Sequence, residues 1–267
     1  MILVKIGGGS TLNIEYIISD LAKYLQESKD QCIIVHGANA FRDELAKKLQ
    51  YEKVVLTSIS GYSSVYSDEE AINIQMMAYA GLKNKRIVET CQKNGINAIG
   101  LTGLDGKVIQ GKRNQGIRVK EGEKKMIKRD FSGKPQEVNK GLLELLTTNG
   151  YTPVLTVPII DENGFAINSE NDDIIAQLHK SLQAKAIFQF IEAPGLLKDF
   201  SDKQSVIKKL SKLELDSMEE KADGRIKRKL LALKKLLEYG PAKVFIADGR
   251  IEKPISSAIA GNGTILE

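Results

Sequence analysis

The sequence predicts an α/β protein in which a mainly parallel sheet lies between two layers of helices, a three-layer αβα sandwich. Short apolar runs, such as residues 32–35, have the composition of strands buried on both faces. Segments with apolar residues at helical spacing, such as 14–25, separate these runs. Because strands and helices alternate along the chain, we expect parallel strands joined by helices.

The elements follow one another in a regular order. The predicted strands are 2–6, 32–35, 98–102, 152–158, 186–191 and 243–247. The predicted helices are 14–25, a second helix through residue 49, 68–94 with Asp68 as its N-cap, 137–149, one that begins at 172, and 224–239. A basic hairpin-like stretch follows the strand 98–102, and residues 199–222 are expected to form a surface excursion or a short helix. We expect a single domain, 1–267, with two lobes, 1–165 and 166–267.

The composition excludes several classes of protein. Hydrophobic residues make up 42% of the chain and charged residues 27%, the balance of an ordinary globular protein. No apolar run approaches the ~18 residues that a membrane span needs, and we find no signal-peptide pattern. Cys32 and Cys91 lack the spacing of a zinc site or a disulfide framework, and the two histidines are too few for a multi-histidine metal centre. We therefore expect a cytoplasmic protein that neither crosses a membrane nor binds a metal through its own side chains.

The positive charge of the chain is concentrated in one stretch. The net charge is +5, and residues 112–134 contain nine basic and three acidic residues, which leaves about −1 for the rest. A local excess of this kind favours a docking surface for an acidic partner over a protein that coats nucleic acid. The alternative is a solvated β-hairpin.

Glycine-rich turns follow several predicted strands, where backbone amides can approach a phosphate group. The sequence contains neither GxxxxGK[ST] nor GxGxxG, which disfavours a P-loop or a dinucleotide fold. Lys5 lies in an apolar strand just before such a turn, so it is either a phosphate-binding lysine or an edge residue whose amine reaches water. The segment GRIKRK (224–229) places cations at a helix N-terminus, which the helix dipole disfavours unless polyphosphate binds there. Otherwise this segment is a solvated run of charge.

A set of motifs runs nearly the whole length of the chain in the order found in the amino acid kinase family. These motifs are VKIGGG (4–9), IVHG (34–37), NAIGLTGLDG (97–106), AINSENDD (166–173), APGLL (193–197), GRIKRKLLA (224–232), VFIADGRIEKPI (244–255) and GNGTIL (261–266). The chain resembles the acetylglutamate-kinase-like branch of this family. Within that branch, SGKPQEVN (132–139) and GRIKRK are similar to kinases that phosphorylate the side-chain carboxylate of α-aminoadipate or glutamate carried on a small acidic protein of the LysW type.

The resemblance implies the amino acid kinase fold and a kinase of lysine or arginine biosynthesis that uses ATP and Mg²⁺ to form an acyl phosphate. It also implies that 1–165 is the acceptor-substrate lobe and 166–267 the ATP-binding lobe, with a homodimer formed through the helix near 68–94. The nucleophile is a carboxylate that is already ionised, so no general base is required. We expect catalysis to consist of positioning and cationic stabilisation of the transferred phosphoryl group. Mg²⁺ would be held mostly by oxygens of ATP.

The resemblance also implies roles for individual residues. The catalytic set is Lys5, Asp172 and Lys229, with Lys227 as the substitute if the register slips. The other sets are phosphate-binding Gly7, Gly8, Gly37 and Ala38, substrate-binding Gly61, Tyr62, Val65 and Asn168, nucleotide-binding Glu192, Gly195 and Lys227, and carrier-docking Lys112, Arg113, Arg118, Lys128 and Arg129.

Three positions depart from the family pattern. Ala38 stands where the family has glycine, and Ile191–Glu192 stands in place of the usual Ser/Thr–Asp. Val65 occupies the position of the arginine that pairs with the substrate α-carboxylate, and valine cannot make that pair. Either another cation, such as Lys85 or Arg86, replaces this arginine, or the acceptor differs from the family norm.

Two other functions stay open at this point. One is a kinase that acts on free N-acetylglutamate, which would not need a basic docking surface. The other is a regulatory member of the family that binds nucleotide without turnover. The presence of Lys5, Asp172 and Lys229 together argues against the second.

Overall fold

The structure is a computed structural model that describes residues 1–59, 63–121, 124–199, 202, 204–221 and 224–266. Within these ranges, the side chains of 63–64, 117, 120–121, 124–125, 221, 224–226 and 228–229 are not included in the description.

Within the described residues, eight strands form one main sheet. In chain order the strands of the protein are β1 (Ile2–Ile6), β2 (Cys32–His36), β3 (Val55–Thr57), β4 (Ser63–Val65), β5 (Ala98–Thr102), β6 (Ile109–Arg113), β7 (Ile117–Glu121), β8 (Lys124–Lys128), β9 (Gly133–Val138), β10 (Thr152–Thr156), β11 (Ile159–Ile160), β12 (Ala166–Ile167), β13 (Ala186–Ile191), β14 (Lys209–Leu210), β15 (Lys243–Asp248) and β16 (Thr264–Leu266). The main sheet has the order β14-β16-β15-β13-β1-β2-β10-β5, and its pairs are parallel apart from β15 with β16. A second sheet, β12-β11-β6-β9, and the hairpins β3–β4 and β7–β8 lie outside it.

Helices pack on both faces of the main sheet. They are α1 (Ile14–Ser28), α2 (Asn39–Lys48), α3 (Glu69–Gln75), α4 (Asn84–Lys93), α5 (Lys140–Thr148), α6 (Asn171–Leu182), α7 (Lys212–Lys221), α8 (Gly224–Glu238) and α9 (Pro254–Ile259). A π-helical segment, Met76–Lys83, joins α3 to α4, and Asp105–Lys107 forms a short 3₁₀ turn.

Successive residues of the central strands point into two separate hydrophobic clusters. On β1, Leu3 belongs to one cluster, whereas Ile2, Val4 and Ile6 belong to the other. Helices α1, α4 and α9 pack on the side of Ile2, and α5, α6 and α8 pack on the side of Leu3. Because side chains alternate between the faces of a strand, a strand covered on both sides must be apolar throughout. This arrangement confirms the predicted three-layer, mainly parallel fold.

Most of the predicted elements are present. The six predicted strands are confirmed, Asp68 caps its helix by accepting a hydrogen bond from the N–H of Ala71 (2.8 Å), and β7–β8 is the predicted basic hairpin. The predicted helix start at 137 is wrong, because Glu137 lies in β9 opposite Gln110 and Asn139 caps the helix instead. The division into lobes at 160–168 stays a prediction.

Candidate active site

Two backbone loops meet at the carboxyl ends of the adjacent strands β1 and β2. A Cβ atom on Gly8 would lie 2.6 Å from the backbone nitrogen of Asn39, and one on Gly37 would lie 2.8 Å from the backbone nitrogen of Gly8. No side chain fits between the loops, so glycine is required at both positions. The same position on Gly37 lies 3.4 Å from Nδ2 of Asn171, which brings the start of α6 against the loops.

The amide groups of these loops are not equivalent. The N–H of Gly7 donates to the carbonyl of Phe190 (3.0 Å), and the N–H of Gly37 donates to the carbonyl of Ile6 (2.9 Å). Both were expected to face a phosphoryl group, yet both hold the loops to the sheet. Among the described residues, nothing accepts a hydrogen bond from the N–H of Gly8, whereas the backbone of Ala38 is hydrogen-bonded to the hydroxyl of Tyr79. The amide of Gly8 is therefore available for an anion.

Lys5 and Asp172 form an ion pair at the same place. Lys5 is 6% exposed, and its ammonium donates to the carboxylate of Asp172 in the first turn of α6. A carboxylate is favoured at the positive end of a helix, and it compensates the cost of burying the lysine. The structure thus brings together Lys5, Asp172, Gly8, Gly37 and Ala38 as the sequence predicted, although it does not test their roles.

His36, the last residue of β2, supports the loop that contains Gly37. Its Nε2 accepts a hydrogen bond from Nδ2 of Asn84 (3.1 Å), so its Nδ1 carries the proton and faces the carbonyl of Gly37 (3.3 Å). Burial lowers the pKa of His36 to about 3, which keeps the ring neutral. Thr156 donates to the carbonyl of His36 (3.1 Å). His36 therefore acts on the loop as an uncharged support.

The π-helical segment aligns three buried polar side chains with the site. Gln75 contacts Asn168, the hydroxyl of Tyr79 donates to Asn39, and Asn84 contacts His36. Gln75 and Asn84 are nine residues apart, about two and a half turns of a regular α-helix, which would place them on opposite faces. The wider π turns return them to one face, as such segments often do at functional sites. None of these three residues was predicted from the sequence.

A cleft lies beside α2, the helix that follows the loop after β2. Val65 and Asn168, both predicted to contact the substrate, line it together with Arg42, Lys53 and Gln75. Gly61 and Tyr62 lie outside the described residues. Lys85 and Arg86, which we considered as replacements for the missing arginine, do not line this cleft. Lys85 donates to the carbonyl of Gly100 (3.3 Å), and the exposed Arg86 pairs with Glu89 (2.9 Å).

The residues expected to contact the nucleotide have other contacts here. Glu192 accepts hydrogen bonds from the N–H and the hydroxyl of Thr11 (both 2.7 Å) and so closes the loop after β1. Gly195 lies against Thr264, whose hydroxyl accepts from the next amide, that of Leu196 (2.8 Å). Lys227 is half-buried on α8, and the side chain of Lys229 lies outside the described residues. On the same helix, Lys235 pairs with Asp173 (2.8 Å) and ties α8 to the start of α6.

The basic stretch forms an irregular exposed surface. Lys112, Arg118 and Arg129 are exposed, and Lys128 is half-buried. Arg113 differs from them, because its guanidinium lies 3.9 Å from the ring centroid of Phe131 and its Nε donates to the carbonyl of Asp130 (2.8 Å). Two apolar residues of the hairpin, Met126 and Ile127, are also exposed.

Among the described residues, no group of three or more His, Cys, Asp or Glu side chains is arranged to hold a metal ion. No helix in the described ranges has the length and hydropathy needed to cross a membrane.

A mainly parallel α/β sheet with glycine-rich loops and a paired lysine at the carboxyl ends of its strands is typical of proteins that bind anionic ligands at that edge. The model of the amino acid kinase family matches residues 1–248, and the chain belongs to this family.

Relatives of known name and a solved structure agree with this assignment. The chain is 38% identical over 267 residues to "[LysW]-aminoadipate kinase" of Deinococcus radiodurans. The aligned region covers all of this chain and 91% of the relative. The chain is 37% identical over 269 residues to the protein of the same name from Thermus thermophilus, with both chains fully covered. The crystal structure of smu.665 from Streptococcus mutans has the same fold, with a TM-score of 0.77 at 18% identity over 99% of this chain and 97% of that one.

Proposed function

We propose that this protein is an ATP-dependent kinase that phosphorylates the side-chain carboxylate of an aminoadipate or glutamate residue carried on a small acidic protein of the LysW type. The observation that carries the proposal is the ion pair of the buried Lys5 with Asp172 beside the free amide of Gly8. The names of the relatives from Deinococcus and Thermus supply the acceptor.

The reaction makes one P–O bond and breaks another. A carboxylate oxygen of the acceptor attacks the γ-phosphorus of ATP, the bond from that phosphorus to the β–γ bridging oxygen breaks, and ADP leaves. Lys5 and the amide of Gly8 stabilise the charge on the transferred group, and Asp172 holds Lys5 in position. The carboxylate is ionised at neutral pH, so no residue has to remove a proton from it.

The residues present fit a nucleotide whose metal ion is bound chiefly by phosphate. Glycine at positions 8 and 37 lets the two backbone loops meet, and the amide of Gly8 and the ammonium of Lys5 are the groups that would bind phosphoryl oxygens. The described residues include no carboxylate cluster for Mg²⁺, so Mg²⁺ would be bound mostly by oxygens of ATP and would neutralise part of their charge. We also propose that Lys229, with Lys227, approaches the phosphates from α8, and that residues 166–267 form the ATP-binding lobe.

The basic surface fits an acidic carrier. Lys112, Arg118 and Arg129 are exposed around the β7–β8 hairpin, whose Ile127 is 62% exposed. The amide of Ile59, next to the substrate segment, donates to the carbonyl of Arg118 (2.9 Å), so the hairpin adjoins the acceptor side. An acidic protein docked on this surface would present its terminal residue on the acceptor side of the site.

We further propose a cytoplasmic homodimer that associates through the helical segment 69–93. The buried, free cysteines Cys32 and Cys91 suit a reducing compartment. Met77 and Leu82 on the helical segment are exposed apolar residues that a second copy would cover.

Release of ADP with three acceptors tests the proposed function. We expect turnover with carrier-linked glutamate or carrier-linked aminoadipate, and much slower turnover with free N-acetylglutamate. Equal or faster turnover with the free compound would favour the acetylglutamate kinase alternative. Nucleotide binding without ADP release from any acceptor would favour a regulatory protein.

A further inference from the structure

The cleft between α2 and Asn168 carries more positive charge than its ion pairs neutralise. Arg42 donates to Asp43 through Nε (3.0 Å) and Nη2 (2.8 Å), and Lys53 donates to the other oxygen of the same carboxylate (2.6 Å). Although burial opposes ionisation of Asp43, hydrogen bonds from Lys53 and Arg42 lower the pKa of its carboxyl group, so it is charged at neutral pH. Two cations and one anion leave a net charge of +1 on this wall.

Gln75, which lines the same cleft, holds a buried hydrogen-bond acceptor without a partner among the described residues. The hydroxyl of Ser67 donates to the carbonyl of Val65 (3.2 Å), so it accepts from Nδ2 of Asn168 (3.1 Å). Oδ1 of Asn168 then accepts from Nε2 of Gln75 (2.6 Å). This sequence of bonds fixes the orientation of both amides, and it leaves Oε1 of Gln75 as the free atom. Gln75 is 3% exposed, and Oε1 has no donor among the described residues.

Such an acceptor is costly to bury unless a ligand supplies a donor. A cleft lined by cations and by a glutamine whose carbonyl oxygen lacks a donor suits a ligand that carries a carboxylate next to an N–H group. An amino acid whose amino group is acylated has both on one carbon atom.

We infer that this cleft binds the α-carboxylate and the amide N–H of the acceptor residue. Arg42, assisted by Lys53, pairs with the carboxylate, and Oε1 of Gln75 accepts a hydrogen bond from the amide N–H. The inference rests on the proposed function and names the residues that recognise its substrate.

The position of Arg42 agrees with the place of reaction. Arg42 lies on the first turn of α2, and its N–H donates to the carbonyl of Ala38 (2.8 Å), which belongs to the loop that meets Gly8 at the proposed phosphoryl site. Four residues of helix correspond to about 6 Å along the axis. That spacing is of the same order as the separation of the two carboxylates in an extended acidic amino acid.

The assignment also accounts for Val65. An arginine was expected at that position, and Val65 lines the same cleft as Arg42. The cleft therefore keeps its cation, but this cation comes from α2 instead of β4.

The test compares a carrier-linked glutamate acceptor with its α-carboxamide analogue. For the carboxylate acceptor, Arg42→Gln should raise KM at least tenfold and change kcat less, because the contact is remote from the reacting atoms. For the carboxamide analogue the same variant should change KM less than threefold. The control is Lys48→Gln on the same helix, where the exposed Lys48 pairs only with the exposed Glu44 among described residues. It should leave both KM values unchanged.

Two further variants separate recognition from folding. Lys53→Gln removes the second cation and keeps the Arg42–Asp43 pair, so it should raise KM for the carboxylate acceptor at least threefold without a loss of melting temperature. Val65→Arg, added to Arg42→Gln, should return most of the lost affinity, because it restores a cation to the cleft. An unchanged KM in Arg42→Gln and Lys53→Gln, in an enzyme that turns over the carrier-linked acceptor, would overturn this inference and leave the proposed function intact. A wild-type protein that turns over none of the acceptors would overturn both.

Discussion

Lys5 and Asp172 are separated by 167 positions in the sequence and form an ion pair at the carboxyl edge of the main sheet. The pair joins the first strand to the start of α6. The buried Lys5 could not be left unpaired, since an uncompensated charge in the interior costs several kcal/mol, and the half-buried Asp172 supplies the opposite charge. The pair is therefore both a link between distant parts of the chain and the centre of the proposed active site.

Asp172→Asn tests whether this pair positions the lysine for catalysis. Without the negative charge, Lys5 is no longer held at one place, so we expect kcat to fall at least tenfold while the KM for ATP changes less. Steady-state kinetics with circular dichroism as a check of folding would measure this. A raised KM with unchanged kcat would show that Asp172 only stabilises the start of α6.

Gly8→Ala tests the close approach of the two loops. The added Cβ would lie 2.6 Å from the backbone nitrogen of Asn39, an atom that cannot move independently of α2, so we expect loss of nearly all activity. Gly141→Ala is the matched control, since its Cβ meets nothing closer than 3.8 Å in α5 and alanine favours a helix by up to about 1 kcal/mol. The control should keep full activity and a melting temperature no lower than the wild type. Near-normal activity of Gly8→Ala would contradict the arrangement of the loops.

The buried His36 should make stability depend on pH. Its pKa is about 3 in the folded state, below the ordinary value of 6.5, so between these values the unfolded chain binds a proton that the folded chain does not. Stability should therefore fall as pH decreases from about 6.5, by up to about 1.4 kcal/mol per pH unit from this residue. Urea unfolding at several pH values would measure the slope. His36→Asn should flatten it, and an equal slope in both proteins would show that His36 is charged in the folded state.

The basic surface should bind the carrier in a salt-dependent way. The exposed Lys112, Arg118 and Arg129 act through solvent, where the Debye length is about 8–10 Å at physiological salt. Changing all three to Glu should raise KM for a carrier-linked acceptor at least tenfold at low salt and less at high salt, with KM for ATP unchanged. Lys140→Glu, an exposed cation on α5, is the control. Arg113 is left unchanged because it packs on Phe131. Salt-independent binding would show that the basic stretch is only a solvated hairpin and does not dock the carrier.

The sequence predicted the main sheet well for a simple reason. Strands buried on both faces must be apolar throughout, so β1, β2 and β13 are recognisable from composition alone. Strand β9 was missed and its last residues were taken for helix, since its sequence, GKPQEV, is polar and partly exposed and lacks the continuous apolar run of the buried strands.

The site was predicted only where motifs mark it. Lys5 and the glycines follow a strand, which is a local signal. Arg42 and Gln75 look like ordinary polar residues of surface helices, and only the tertiary structure shows that they share a cleft. The π turns that bring Gln75 and Asn84 to one face have no clear signature in the sequence.

Trapping of the product with hydroxylamine tests the central claim most directly. An acyl phosphate reacts with hydroxylamine to give a stable hydroxamate, which mass spectrometry can locate on the terminal residue of a carrier-linked acceptor. We predict one hydroxamate per ADP released by the wild-type protein, at least 100-fold slower formation by Lys5→Met, and near-normal formation by Lys235→Met, whose lysine pairs with the neighbouring Asp173. ADP release without hydroxamate, or a fully active Lys5→Met, would contradict the account.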